Sequence, residues 1–124
     1  MIWERTVSLA AVVMFTAGCG SSYPAPTQPL SDAQAADRSA QELGADADPA
    51  AKLALKLAQE QVATAKRLMA DGENKKAEAL LLRAKADAEL AVSLAREQKA
   101  KVEVQQASEK AGLQTKAIEG GAAK

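Results

Sequence analysis

The chain has 124 residues with no histidine and a single cysteine, so neither a disulfide nor a zinc site can be built from the usual ligands. Its 16 basic and 16 acidic side chains give a formal net charge of zero, which excludes the basic surface of a nucleic-acid-binding protein. Alanine is the commonest residue and aromatic residues make up only 2%, so a folded core must consist of small aliphatic side chains.

The first segment has the features of a secretory signal. Residues 6–17 are mostly apolar but too short to cross a hydrocarbon core, which takes about 20 residues. Ala17 and Gly18 then precede Cys19, and Gly20 follows it. This arrangement resembles the lipobox of bacterial lipoproteins, which are cut before the cysteine and acylated on it. A plain secretory signal or a buried N-terminal helix would also contain such an apolar run.

The lipobox resemblance implies a signal peptide at residues 1–18, a lipidated Cys19 and a membrane anchor. Two or more acyl chains on one residue make such an anchor stable, whereas one chain binds only marginally. Gly20 after the cysteine is similar to lipoproteins that are sorted to an outer membrane. The resemblance therefore implies a cell-envelope protein of the outer membrane that faces the periplasm.

A proline-rich linker follows at residues 19–30. Prolines at three positions predict an extended, polyproline-like tether that holds the rest of the chain off the membrane. These prolines are Pro24, Pro26 and Pro29.

Ser31 and Gln34 form an S-x-x-Q capping box, which predicts that a first helix begins directly after Ser31. The helix is expected at about 32–43, because Gly44 then offers the left-handed conformation that ends many helices.

Two further helices are predicted. Asp48 can cap a helix that has Pro49 at its first position, where the missing N–H had no partner, and this helix runs over 49–70. Asp71-Gly72-Glu73-Asn74 is typical of a tight turn. A third helix is expected over 74–113.

The predicted fold class is all-α, a small antiparallel three-helix bundle at 31–114 with a long C-terminal helix and a flexible tail at 115–124. The second helix has two apolar stripes, which favours a position between the other two. One stripe contains Ala54, Leu57, Ala65 and Leu68, and the other contains Leu55, Val62 and Met69.

The third helix has a regular heptad seam, with small or apolar residues alternating at spacings of four and three. It comprises Ala77, Leu81, Ala84, Ala88, Ala91, Ala95, Gln98, Val102 and Gln105. Small side chains let a neighbouring helix approach closely. The seam is therefore a candidate interaction surface at Leu81, Ala84, Ala88, Ala91, Ala95 and Val102.

The third helix is also predicted to be longer than its neighbours, so that its second half, from about Glu97, has no partner within the chain. That half either contacts another chain, which would make the protein a homo-oligomer, or is a lone and partly frayed helix.

Opposite charges four residues apart fill the remaining helix faces and predict surface ion pairs worth about 0.2–0.5 kcal/mol each. They are Lys56/Glu60, Arg83/Asp87, Lys85/Glu89, Glu97/Lys101 and Lys99/Glu103.

From about Leu30 to Gln98 the chain resembles the bacterial domain-of-unknown-function family 4398. The resemblance rests on residues 48–95, in which two alanine-rich helices flank a glycine turn. The second of these helices contains the pattern A-x-x-L…A-x-x-D-A-x-L-A of the family. In this sequence the pattern comprises Ala77, Leu80, Ala84, Asp87, Ala88, Leu90 and Ala91. The family implies a small helical envelope domain that commonly follows a lipoprotein signal. It often precedes a peptidoglycan-binding domain, for which too few residues follow the third helix here.

No catalytic motif or phosphate-binding loop is present, so we expect no enzyme activity and no cofactor. The leading hypothesis is a lipid-anchored tether or interaction module with an envelope-protein or peptidoglycan partner. An alternative is attachment to the cell wall, because a flexible end with Lys124 is similar to the murein lipoprotein. A binder of small apolar ligands is a third hypothesis, which the alanine-packed seam disfavours.

Overall fold

The computed structural model describes residues 22–121, which form three α-helices and no strand. The helices are α1 at Thr27–Glu42, α2 at Pro49–Ala70 and α3 at Asn74–Gly121. A short 3₁₀ turn at Ala45–Ala47 separates α1 from α2. Successive helices run in opposite directions, because one core cluster joins the end of α1 to the start of α2, and the other joins the end of α2 to the start of α3. This architecture confirms the predicted all-α, antiparallel three-helix bundle with a long C-terminal helix.

α1 begins earlier than predicted. Pro26 is its N-cap residue, and its first main-chain hydrogen bond joins the Leu30 N–H to the Pro26 carbonyl at 3.1 Å. Pro29 fits into the first turn because the first N–H groups of a helix have no acceptor within it. Ser31 consequently lies inside α1 instead of capping it. The predicted linker is therefore wrong for residues 27–30, which are helical.

Two glycines with positive φ end the first two helices. Gly44, with φ of 81°, follows α1 as predicted. Gly72, with φ of 78°, belongs to a Schellman motif after α2. In this motif the Glu73 N–H donates to the Leu68 carbonyl at 2.8 Å, and the Gly72 N–H donates to the Met69 carbonyl at 3.1 Å. These tight reversals set the antiparallel order of the helices.

The start of α2 agrees with the prediction from its sequence. Pro49 is the first helical residue, and a carboxylate oxygen of Asp48 accepts the Ala51 N–H at 2.8 Å. The aspartate satisfies one of the N–H groups that a helix leaves without a partner at its N-terminus.

α3 is longer than predicted, since it continues without interruption to Gly121. The predicted end at 113 and the predicted flexible tail are wrong for residues 115–121, which are helical, while residues 122–124 lie outside the described range. Gly112 costs about 1 kcal/mol relative to alanine inside a helix. Good helix formers such as Lys110, Ala111 and Gln114 surround it and offset this cost.

α3 is the central helix, because it packs along both α1 and α2 while those two contact each other much less. The prediction that placed the second helix in the middle is therefore wrong. Leu57 shows the reason, since it belongs to an apolar stripe of α2 and yet stays 42% exposed. The core is almost entirely alanine, and its larger exceptions are Leu55, Val62 and Leu81.

Three of the five predicted surface ion pairs form within the described residues. They are Lys56–Glu60 at 3.9 Å, Lys85–Glu89 at 3.9 Å and Glu97–Lys101 at 2.6 Å. Two further polar contacts join α3 to the other helices. Lys85 of α3 also lies 3.7 Å from Asp32 of α1, and the Gln61 amide of α2 donates to Asp87 of α3 at 2.7 Å. Asp87 therefore connects α2 to α3 instead of pairing with Arg83.

Candidate interaction surfaces

Most of the seam that was predicted as an interaction surface lies inside the molecule. The five positions from Leu81 to Ala95 are buried, and all of them except Ala88 belong to core clusters that also contain residues of α1 and α2. They are Leu81, Ala84, Ala88, Ala91 and Ala95. This corrects the predicted partner surface, because the neighbouring helix that the seam accepts belongs to the same chain.

Val102, the sixth residue of the candidate interaction surface, lies beyond the bundle and is 40% exposed. All residues of α3 from Lys99 to Gly121 are exposed, including the large apolar side chains of Val104, Leu113 and Ile118. We call this part of α3 the free segment. Within the described chain it has no helix packed against it, so it is available to a partner.

The residues before α1 are held against the other end of the bundle. The Asn74 side-chain amide donates to the Tyr23 carbonyl at 2.7 Å, and the Tyr23 hydroxyl donates to the Glu78 carboxylate. Pro26 is buried. These contacts fix the N-terminal segment beside the first turn of α3, so the chain enters the bundle at the end opposite the free segment.

Asp37 of α1 is the one buried charged side chain among the described residues, with 8% of its surface exposed. It borders a groove of about 400 Å³ between α1 and α2, together with polar side chains such as Gln34, Gln59 and Lys66. Its Oδ1 atom has no hydrogen-bond partner within the described chain. Burial raises the pKa of the Asp37 carboxyl above its usual value, and the charge of Arg38 partly opposes this shift.

Two predicted site residues, Cys19 and Lys124, lie outside the described range. Among residues 22–121, no cluster of three or more histidine, cysteine, aspartate or glutamate side chains is suited to bind a metal ion. None of the helices described between these limits combines the length and the apolar character that a membrane span requires.

Comparison with known families assigns the bundle. The family described as "Domain of unknown function (DUF4398)" matches residues 28–107, which is more than half of the chain. The chain belongs to the DUF4398 family. This confirms the resemblance seen in the sequence. The DUF4398 match covers nearly all of α1, all of α2 and α3 as far as Ala107, which includes the first part of the free segment. No curated protein and no solved structure matches the chain significantly.

Sequence reasoning missed two features of the DUF4398 bundle in this chain. The first is Asp37, although its spacing from Ala33 and Ala40 places it on the buried face of α1. The second is the contact of Tyr23 with α3, for which the sequence holds no signal, because Asn74 is 51 residues away.

Proposed function

We propose that this protein is a non-catalytic outer-membrane lipoprotein, anchored through Cys19, whose bundle acts as a periplasm-facing tether or interaction module. The observation that carries the proposal is the direction of α3. Tyr23 is bound beside Asn74, at the start of α3, and it follows Cys19 by only a few residues. A lipid on Cys19 would therefore hold this end of the bundle close to the membrane.

The length of α3 supports the role of a tether. Its 48 residues span about 70 Å at ~1.5 Å per residue. The free segment makes up the part farthest from Asn74 and is exposed throughout. In an anchored protein standing on this end, the surface available to a partner is presented away from the membrane.

The polar side chains support a non-catalytic role. Catalysis needs a nucleophile, an acid–base group or a metal held in a pocket, and the charged side chains of the described region lie mostly on exposed helix faces. Asp37 is buried, but the two other charged side chains that line the same groove, Arg38 and Lys66, are exposed.

Replacing Cys19 by alanine is expected to abolish lipid labelling and to release the protein from the outer-membrane fraction. Wild-type protein, Cys19→Ala and the neighbouring control Ser22→Ala would be fractionated and labelled in parallel. The control should behave like the wild type, because Ser22 is no acylation site. Wild-type protein that is unlabelled and soluble would disprove the anchor and leave a helical bundle without a membrane role.

A second candidate is covalent attachment to peptidoglycan through Lys124. The direction of α3 favours this attachment, because α3 ends at the side of the bundle remote from Tyr23. In a protein anchored through Cys19, that end would face the cell wall. Such a protein would connect the outer membrane to the wall through one helix.

Deleting Lys124 is expected to release the protein from sacculi that have been boiled in detergent. The matched control is Lys116→Ala, which removes an exposed lysine from α3 and leaves Lys124 in place. Absence of the wild-type protein from washed sacculi would reject wall attachment and leave the lipid anchor untouched.

A further inference from the structure

α3 has a second regular stripe on the side facing away from the bundle. Its ten positions alternate at spacings of four and three residues, and all of them are exposed. They are Ala86, Leu90, Ser93, Glu97, Ala100, Val104, Ala107, Ala111, Gln114 and Ile118. We call these ten residues the outer stripe. Seven of them are apolar, which is the pattern of a coiled-coil face.

The outer stripe is separate from the buried seam. With 3.6 residues per turn, it lies roughly opposite Ala84 and Ala91 on the circumference of α3. Leu90 is 51% exposed, Val104 is 70% exposed and Ile118 is 73% exposed. A further helix can therefore pack on this side of α3 without displacing α1 or α2.

Charged side chains of alternating sign border one edge of the outer stripe at seven-residue intervals. They are Glu89, Arg96, Glu103 and Lys110, and all are exposed. Glu89 contacts Lys85, but the other three form no ion pair within the described chain. Charges in these positions determine the partner and orientation of a coiled coil.

This edge is complementary to itself when two copies run in opposite directions. Glu89 then faces Lys110 of the second copy, Arg96 faces its Glu103, and symmetry repeats both pairs. In a parallel pair, Arg96 would face Lys101 of the second copy, and the two Glu97 side chains would face each other. Facing like charges oppose association. The charge pattern therefore favours the antiparallel pair.

The same antiparallel register places large side chains opposite small ones. Leu90 meets Ala107 of the second copy, and Val104 meets its Ser93. Such alternation fills the space between two helices without voids. Every second residue of the outer stripe between Ala86 and Ala107 is alanine or serine. The axes of the two helices can therefore lie near the lower end of the usual 8–10 Å separation.

The antiparallel register also lets the two α3 helices overlap almost fully. The two-fold axis of the pair passes between Gln98 and Lys99, close to the middle of the 48-residue α3. The two helices then overlap along nearly their whole length, and each free segment lies beside the bundle of the other copy. We propose that two copies of this chain form an antiparallel dimer through the outer stripe.

The dimer has a defined shape. Tyr23 lies near the start of α3 in each copy, so the two N-terminal segments sit at opposite ends of a rod about 70 Å long. If Cys19 is acylated, the two anchors lie at opposite ends of the rod and the anchored dimer lies along the membrane surface, whereas the upright orientation proposed above is that of a single copy. Dimer formation itself does not depend on the anchor.

Charge reversal tests the antiparallel pairing. Arg96→Glu and Glu103→Arg should each weaken dimer formation roughly tenfold, because each creates two pairs of like charges. The double variant should restore it. Lys116→Glu has the same charge change as Arg96→Glu, lies off the outer stripe and should have no effect. Sedimentation equilibrium of the full chain carrying Cys19→Ala measures the dissociation constant, and circular dichroism checks helix content.

Disulfide crosslinking tests the register in the same Cys19→Ala chain. Oxidation of a mixture of Ser93→Cys and Val104→Cys should give the mixed dimer, whereas Ser93→Cys alone should give little crosslinked product. Crosslinking of Ser93→Cys with itself would indicate a parallel pair and overturn the proposal. A wild-type chain that is monomeric at about 0.1 mM, or a double charge variant without rescue, would overturn it too.

Discussion

Replacing Leu81 by alanine is expected to lower the free energy of unfolding by about 2–5 kcal/mol. Leu81 is the largest side chain in the core that has no exposed surface, and it packs with Ala33 of α1 and Val62 of α2. Truncation would leave a cavity where three helices meet, because the surrounding alanines are too short to fill it. Cores of this size seldom contribute more than ~3–5 kcal/mol, so the variant should be partly unfolded at ambient temperature.

Leu82→Ala is the matched control for Leu81→Ala. Leu82 is the next residue in α3 but is 58% exposed, so its loss should change stability by about 0.5 kcal/mol or less. Hydrogen exchange of the amides in α1 and α2 is the appropriate measurement, because total helix content also reports the free segment. Equal effects of the two substitutions would contradict the core described above.

The helix boundaries show what local sequence signals can predict. The start of α2 was predictable because Asp48 and Pro49 act on adjacent backbone groups and need no other part of the fold. The start of α1 was not, because a complete capping box at Ser31 competed with an earlier start after Pro26. Packing of Pro26 and the contact of Tyr23 with α3 accompany the earlier start, and these are tertiary interactions.

The seam illustrates a different limit. The spacing of Leu81, Ala84 and Ala88 identifies a face of α3 that accepts a helix, and the structure buries that face. The spacing does not say which helix covers it, since small side chains accommodate a neighbour from the same chain as well as one from a partner. The candidate interaction surface was therefore predicted mainly on the inner side of α3, which the bundle itself covers, whereas only the exposed second half of α3 was predicted to contact another chain.

Replacing Asp37 by alanine is expected to stabilise the bundle at neutral pH, by about 1–3 kcal/mol. The carboxylate is almost fully buried, and its Oδ1 atom lacks a hydrogen-bond partner in the described chain. Alanine would continue the small-residue face formed by Ala33 and Ala40, and it also has the higher helix propensity. Asp37→Asn removes the charge and keeps a side chain of nearly the same size, so comparing it with Asp37→Ala separates the cost of the buried charge from the gain in helix propensity.

The stabilisation should depend on pH with a predictable sign. Burial raises the pKa of the Asp37 carboxyl, so the folded state holds this proton more tightly than the unfolded state does. The ionised carboxylate therefore destabilises the fold above the raised pKa, and protonation removes that cost as the pH falls through it. The advantage of Asp37→Ala should be largest near neutrality and decline toward the ordinary aspartate pKa of about 3.9. Urea unfolding of both proteins across this range measures it, and a difference that is constant with pH would show that the buried charge is not its source.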